Sequence, residues 1–210
     1  MTTVHETPSP PGAVLHGISW KTYVALRNSP ENYHVRMTYD EGELEIMSPS
    51  TLHEQYGRLL DWLILVWAEE RDLAIINCGN VTCRRKDLKL GFEPDNCYYV
   101  ANEGKIRKKR KLNLRTDPPP DLAIEIDVTR SSLGKLGLYE ALGVPELWRY
   151  DGGSIEVYCL GDDGRYQRQT ESRTFVGFPV TEAERILLQW CDDSTTALAK
   201  AFRRYVRENT

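Results

Sequence analysis

A chain of 210 residues is long enough for one domain with a real core, and 40% hydrophobic with 28% charged residues is the balance of a globular protein. The net charge of −4 does not by itself mark a nucleic-acid binder. No apolar run approaches the roughly 18 residues of a membrane span, and MTTVHETPSPPG lacks the basic start and apolar stretch of a secretory signal.

Residues 1–12, with Pro8, Pro10 and Pro11, read as a flexible tail. Ser19 caps a short predicted helix from Trp20 to Arg27, which Pro30 ends. Tyr33 to Tyr39 and Glu43 to Met47 alternate as two strands around the turn Asp40-Glu-Gly42. Ser48-Pro-Ser-Thr51 offers caps for the strongest helix of the chain. Its apolar positions Tyr56, Leu59, Leu60, Leu63, Ile64 and Trp67 recur at three and four, and it ends near Arg71. Leu73 to Val81 reads as a strand, and the charged stretch Cys83 to Leu90 as a hairpin or a loop.

Pro94 precedes a further strand over Cys97 to Val100. A loop of about twenty residues follows. It carries a basic run, Lys105, Arg107, Lys108, Lys109, Arg110 and Lys111, that fits a phosphate backbone and equally fits a solvated loop. The chain then enters Asp121-Leu-Ala-Ile-Glu-Ile-Asp127, with Leu122, Ile124, Ile126 and Val128 on one side of a strand. Asp121, Ala123, Glu125 and Asp127 fall on the other. Three carboxylates on one strand face repel each other and lose hydration if buried, unless a hard divalent cation neutralises them or the face meets water.

Thr129, Ser131 and Ser132 offer caps for a helix from about Leu133 to Leu142, stopped by Gly143. Glu146 to Tyr150 and Ser154 to Leu160 form a hairpin at Asp151-Gly-Gly. Tyr166 to Thr170 and Thr174 to Val180 read as short strands, and Thr181 to Trp190 as a short helix. Ala197, Leu198, Ala201, Phe202 and Tyr205 mark a last amphipathic helix. The class is mixed α/β. The five cysteines, odd in number and without a Cys-x-x-Cys pair, read as free thiols in a reducing cytoplasm.

If the strands after Pro94 and around Glu125 are neighbours, Asp95 and Glu125 come close enough to share one Mg²⁺ or Mn²⁺, which activates water toward a phosphodiester. The metal-nuclease pattern of an acid followed by Glu/Asp-x-Lys has Asp127 where its lysine belongs. Lys135, in the following helix, is the substitute.

Gly42-Glu-Leu-Glu-Ile-Met-Ser-Pro49 with His53, Glu93-Pro-Asp95, Pro120-Asp-Leu-Ala-Ile-Glu125 and Lys135…Tyr139…Gly143-Val-Pro-Glu-Leu-Trp148…Asp151 together resemble the Uma2 (DUF820) family of restriction endonucleases, over roughly residues 18–190. The resemblance implies the PD-(D/E)xK nuclease fold, a mixed central sheet flanked by helices, in a single domain over 13–190. Residues 191–210 then form a helix packed on or extending that domain. It implies a Mg²⁺- or Mn²⁺-dependent endonuclease acting on DNA, with Asp95 and Glu125 as metal-binding acids and Lys135 as the catalytic lysine. Glu43 and His53 match recurring positions near the site, with Asp121 and Asp127 as supporting acids. The chain departs from the family pattern after Glu125, where Ile-Asp-Val-Thr-Arg-Ser-Ser replaces an apolar pair and Ser-Pro-Ser, and after Asp95, where Asn-Cys-Tyr-Tyr follows. The alternative is an inactive nucleic-acid-binding or interaction protein on the same fold. A homodimer rests on analogy with nucleases that cut both strands.

Overall fold

The computed structural model describes residues 12–127 and 134–209. The N-terminal tail, Val128 and the predicted caps Thr129, Ser131 and Ser132 lie outside the described residues. The order is β1 (Ala13–Leu15), α1 (Trp20–Asn28), β2 (Arg36–Asp40), β3 (Glu43–Met47), α2 (Thr51–Glu70), β4 (Ile76–Asn77), β5 (Cys83–Arg85), β6 (Leu90–Phe92), β7 (Asn96–Tyr99), α3 (Glu103–Ile106) and β8 (Leu122–Ile126). The chain continues with α4 (Lys135–Leu142), β9 (Glu146–Tyr150), β10 (Ile155–Leu160), β11 (Tyr166–Gln169), α5 (Val180–Leu188) and α6 (Thr195–Glu208).

One sheet runs β1-β3-β2-β6-β5 and the other β11-β10-β9-β8-β7-β4. The second is mixed, because β8 and β9 are parallel while its other neighbours are antiparallel. The crossover between β8 and β9 carries α4, as a parallel pair requires. Period 2 sorts β8 as expected. Leu122, Ile124 and Ile126 face the core built by α2, α5 and α6. Ala123 instead packs with Leu138, Tyr139 and Leu142 of α4 and with Cys83, Leu90 and Phe92 of the first sheet. The acidic face of β8 is therefore covered, not open to water. Leu60, Leu63 and Ile64 of α2 are fully buried, and each such side chain stabilises the fold by about 1.5–3 kcal/mol. Packing of α6 on α2 is reinforced by Arg203 and Arg207, which pair with Glu70 at 3.0 and 2.8 Å.

The helix ends follow their caps. Ser19 Oγ accepts from Thr22 N–H, and Ser50 Oγ from His53 N–H. Gly143, at φ 74°, ends α4 in the left-handed conformation. Cys83 to Leu90 is a hairpin, closed through Lys89 at φ 48°.

Three expectations fail for physical reasons. β2 begins at Arg36, not Tyr33, because Pro30–Asn32 winds into a 3₁₀ turn and Arg27 holds the carbonyls of Asn32 and Val35. The strand expected from Leu73 to Val81 shrinks to Ile76–Asn77. There Asn77 Oδ1 accepts from Gly79 N–H, and Gly79 at φ 57° turns the chain off the sheet edge. Thr174 to Val180 is no strand. The buried carboxylate of Glu146 takes the N–H groups of Arg173 and Thr174, so these are lost to a ladder, while Phe175 and Phe178 plug the core.

Candidate active site

β7 and β8 are antiparallel, with Asn96 opposite Ile124 and Cys97 opposite Ala123. One step further along this register, Asp95 stands across from Glu125, and Asp95 N–H donates to the Ile124 carbonyl at 3.1 Å. Residues opposite one another in an antiparallel pair have Cβ atoms about 5 Å apart on the same face. Two carboxylates from strands that meet at this one point thus converge, and both are almost sealed from solvent. The Asp95 side chain is 8% exposed and the Glu125 side chain 2%.

Each is held in place. Asp95 Oδ2 accepts from the Ile126 N–H at 2.8 Å and lies 3.0 Å from His53 Nε2, which α2 brings over the strand ends from its first turn. Glu125 Oε2 accepts from Lys135 Nζ at 2.5 Å, and Glu125 Oε1 from the Tyr139 hydroxyl. Lys135 and Tyr139 are four residues apart on α4 and so share a face.

Burial pushes the Glu125 carboxyl up to about 7; the Lys135 charge works against this and the Asp95 charge adds to it. Burial also works on Asp95, but the His53 hydrogen bond and charge, the Lys135 charge and the Ile126 N–H outweigh it and hold Asp95 below the usual carboxylate range. The Lys135 ammonium, which burial alone would push down, is held above the ordinary lysine range by Glu125 and Asp95. His53 is likewise raised, Asp95 outweighing its burial.

The remaining expected site residues lie elsewhere. Asp127 is taken by Arg149, at 2.6 Å from Nη2 and 2.8 Å from Nε. Asp121, at the opposite end of β8, accepts from the N–H groups of Val100 and Asn102 and from the Asn102 amide. Four residues of strand, about 13 Å, separate it from Glu125, so the two cannot ligate one ion. Glu43 is half exposed, sits at the turn end of β3 opposite Asp40 and meets His16 at 3.2 Å. The buried acid of that strand is Glu45, at 2% exposure.

The basic run is also distant from the carboxylates along the sheet. It leaves the far end of β7 and returns to the near end of β8, whereas Asp95 and Glu125 occupy the other ends. Three of its charges are engaged locally: Lys105 with Asn102, Arg107 with Glu103 and Lys109 with Asp117. Lys108, Arg110 and Lys111 are exposed.

Sequence reasoning missed Tyr139 as a site residue, although its spacing from Lys135 was the signal. It also missed the pairing of Asp127 with Arg149, and the buried Glu146, which has no motif.

Among the described residues, no three His, Cys, Asp or Glu side chains cluster as a metal site. Two carboxylates nevertheless fit Mg²⁺ or Mn²⁺, since Mg²⁺ keeps several waters and takes one or two carboxylates beside substrate phosphate oxygens. The Lys135 ammonium, 2.5 Å from Glu125 Oε2, already places one positive charge beside the pair. The donor set does not fit a structural zinc.

The family model described as Uma2, "Putative restriction endonuclease", matches residues 20–190. The chain belongs to the Uma2 family. Among solved structures it is similar to one described as "a putative nuclease belonging to DUF820" from Anabaena variabilis ATCC 29413. The TM-score is 0.55 at 15% identity, covering 82% of this chain and 98% of that one. At that identity the likeness carries the fold alone, the mixed α/β architecture that the sequence led us to expect. No curated protein matches. Uma2 membership makes this a nuclease-family chain. Among its described residues no helix is long and apolar enough to cross a membrane.

Proposed function

We propose that this Uma2 chain is a divalent-metal-dependent endonuclease that hydrolyses phosphodiester bonds in DNA. The observation that carries the reading is the placement of Asp95 across from Glu125, with Lys135 on Oε2 of Glu125. Asp95 and Glu125 would hold Mg²⁺ or Mn²⁺, which when bound supplies Lewis-acid charge and lowers the pKa of water.

The chain's own residues do the rest. His53 and the Ile126 N–H fix Asp95, and Tyr139 fixes Glu125, so both carboxylates are oriented before substrate arrives. Lys135 directs its N–H bonds at the attacking water and at the negative charge that grows on the phosphoryl oxygens. In the reaction the water oxygen forms a new P–O bond and releases a proton to solvent, one bridging P–O bond breaks, and the departing alkoxide takes a proton from solvent. Burial of the pair excludes bulk water, which strengthens each of these charge interactions.

Asp127 at the usual lysine position, paired with Arg149, favours the second reading of a nucleic-acid binder without turnover. Incubating supercoiled plasmid with purified protein and Mg²⁺ or Mn²⁺ separates the two. The nuclease reading expects nicked or linear product that chelator abolishes and that Glu125→Gln does not form. Binding without product in either metal defeats it.

A further inference from the structure

Beside Asp95 a cleft of about 350 Å³ opens between α2, β2 and the chain that follows β4. Its lining includes His53, Gly57 and Arg58 of α2, Arg36 of β2, and Asn80. Three features of it are unexplained by the fold.

The first is charge. The acids along the cleft are already engaged. Asp61 accepts from the Tyr98 hydroxyl at 2.5 Å and from the Asn77 amide, and Glu54 lies 3.5 Å from Arg36 Nη2. Arg58 is exposed on the same wall and makes no ion pair with any described residue. An arginine without a counter-charge beside a buried carboxylate site is a ready partner for phosphate, because its planar fork matches two phosphate oxygens.

The second is Gly57. Glycine inside a helix costs stability relative to alanine. A Cβ built at Gly57 would meet only Ile126 Cγ1, at 3.7 Å, an ordinary contact. The fold therefore does not require glycine there. Gly57 lines the cleft, one turn on from His53 and next in sequence to Arg58, which lines it too.

The third is position. The cleft adjoins Asp95, whereas the basic run 105–111 emerges about 13 Å away at the other end of β7. The cleft and not the basic run therefore lies next to the two carboxylates.

We infer that this cleft binds the phosphodiester backbone flanking the bond to be cut, with Arg58 and Arg36 as its phosphate ligands and Gly57 keeping the helix wall open to it. The inference rests on the nuclease reading for its substrate class. The Asn80 side-chain amide lies against the Arg36 guanidinium. The ligand is an extended strand, read through its charge and not through its sequence.

The test is fluorescence anisotropy of a labelled oligothymidylate too short to reach the basic loop, titrated with the full chain in Ca²⁺ so that binding is read without turnover. Arg58→Gln weakens binding about tenfold and lowers the salt slope by about one. Gly57→Ala raises the unfolding temperature yet weakens binding several-fold, a combination that simple misfolding cannot give. Replacing Lys108, Arg110 and Lys111 together by Gln changes binding less than Arg58→Gln does. Wild-type affinity in both Arg58→Gln and Gly57→Ala overturns the inference, as does failure of the wild type to bind. If Arg58→Gln loses binding while the wild type cuts nothing in Mg²⁺ or Mn²⁺, the subsite stands and the proposed reaction falls. If cutting is intact and Arg58→Gln binds normally, the reverse holds.

Discussion

Lys135 Nζ lies 2.5 Å from Glu125 Oε2, reaching a strand carboxylate from the helix that follows it. The strand itself has no lysine two residues after this acid, and the ammonium beside the carboxylate comes from α4 instead. Asp127, which holds that strand position, is neutralised by Arg149 on the parallel neighbour β9.

The pair makes a stability prediction. Lys135→Met removes the charge that opposes burial at Glu125, so the carboxyl moves further up and holds a proton at neutral pH, and the loss stays below the roughly 3–5 kcal/mol of a stranded buried charge. Lys135→Met combined with Glu125→Gln recovers most of that loss. Urea unfolding of the two single variants and the double variant at neutral pH measures the coupling. Additive losses would show that the contact contributes nothing.

The raised Glu125 pKa predicts a pH dependence whose sign is fixed by linkage. Folding raises the group from 4.5 to about 7, so the native chain binds the proton more tightly than the unfolded chain. The contribution is fully present below 4.5 and is lost as pH rises through about 7, amounting to roughly 3 kcal/mol. His53, also raised on folding, adds a loss of the same sign as pH rises through its folded value. Denaturation of the metal-free chain across this window follows it. Glu125→Gln removes most of the slope.

How much of this was legible in the sequence depends on whether the cause was local. The alternation that made β8 a strand with its acids on one face was local, and the structure keeps it from Leu122 to Ile126. The helical spacing and Ser50 cap of α2 were local too. Glu43 and Glu45 share a strand face by period 2, but only the pairing of β3 with its neighbours decides which is covered. The sequence reading chose the exposed one. Thr174 to Val180 had a strand's composition, yet Glu146, nearly thirty residues earlier, takes its backbone donors. The spacing of Asp121 and Glu125 looked like one cluster, although along an extended strand it is a separation of about 13 Å.

Tyr139, itself buried, donates its hydroxyl to Glu125. Tyr139→Phe removes that bond and leaves a buried oxygen without its donor, at a cost of about 1–3 kcal/mol. Thermal unfolding reads the loss. In a cleavage assay the same variant keeps measurable turnover, since both carboxylates and Lys135 remain, whereas Asp95→Asn loses about 100-fold or more. Equal activity in the two variants would remove the distinction between a positioning residue and an acid at the reaction centre.

His53 orients Asp95 from α2. His53→Ala leaves Asp95 Oδ2 with the Ile126 N–H alone and lowers turnover about 10-fold or more through loss of positioning. His53→Gln, which can still donate to Asp95, restores part of it. A plasmid-nicking time course on the three proteins makes the comparison, and an undiminished rate for His53→Ala would show that the Ile126 N–H alone suffices to hold Asp95.

The most direct test of the central claim is calorimetric titration of Mn²⁺ into the wild type and into Asp95→Asn and Glu125→Gln, at a pH above 7 where Glu125 is ionised. The account predicts saturable binding to the wild type, strengthened by DNA and lost in both variants. An absence of binding to the wild type even with DNA present, or equal binding to all three proteins, would contradict it.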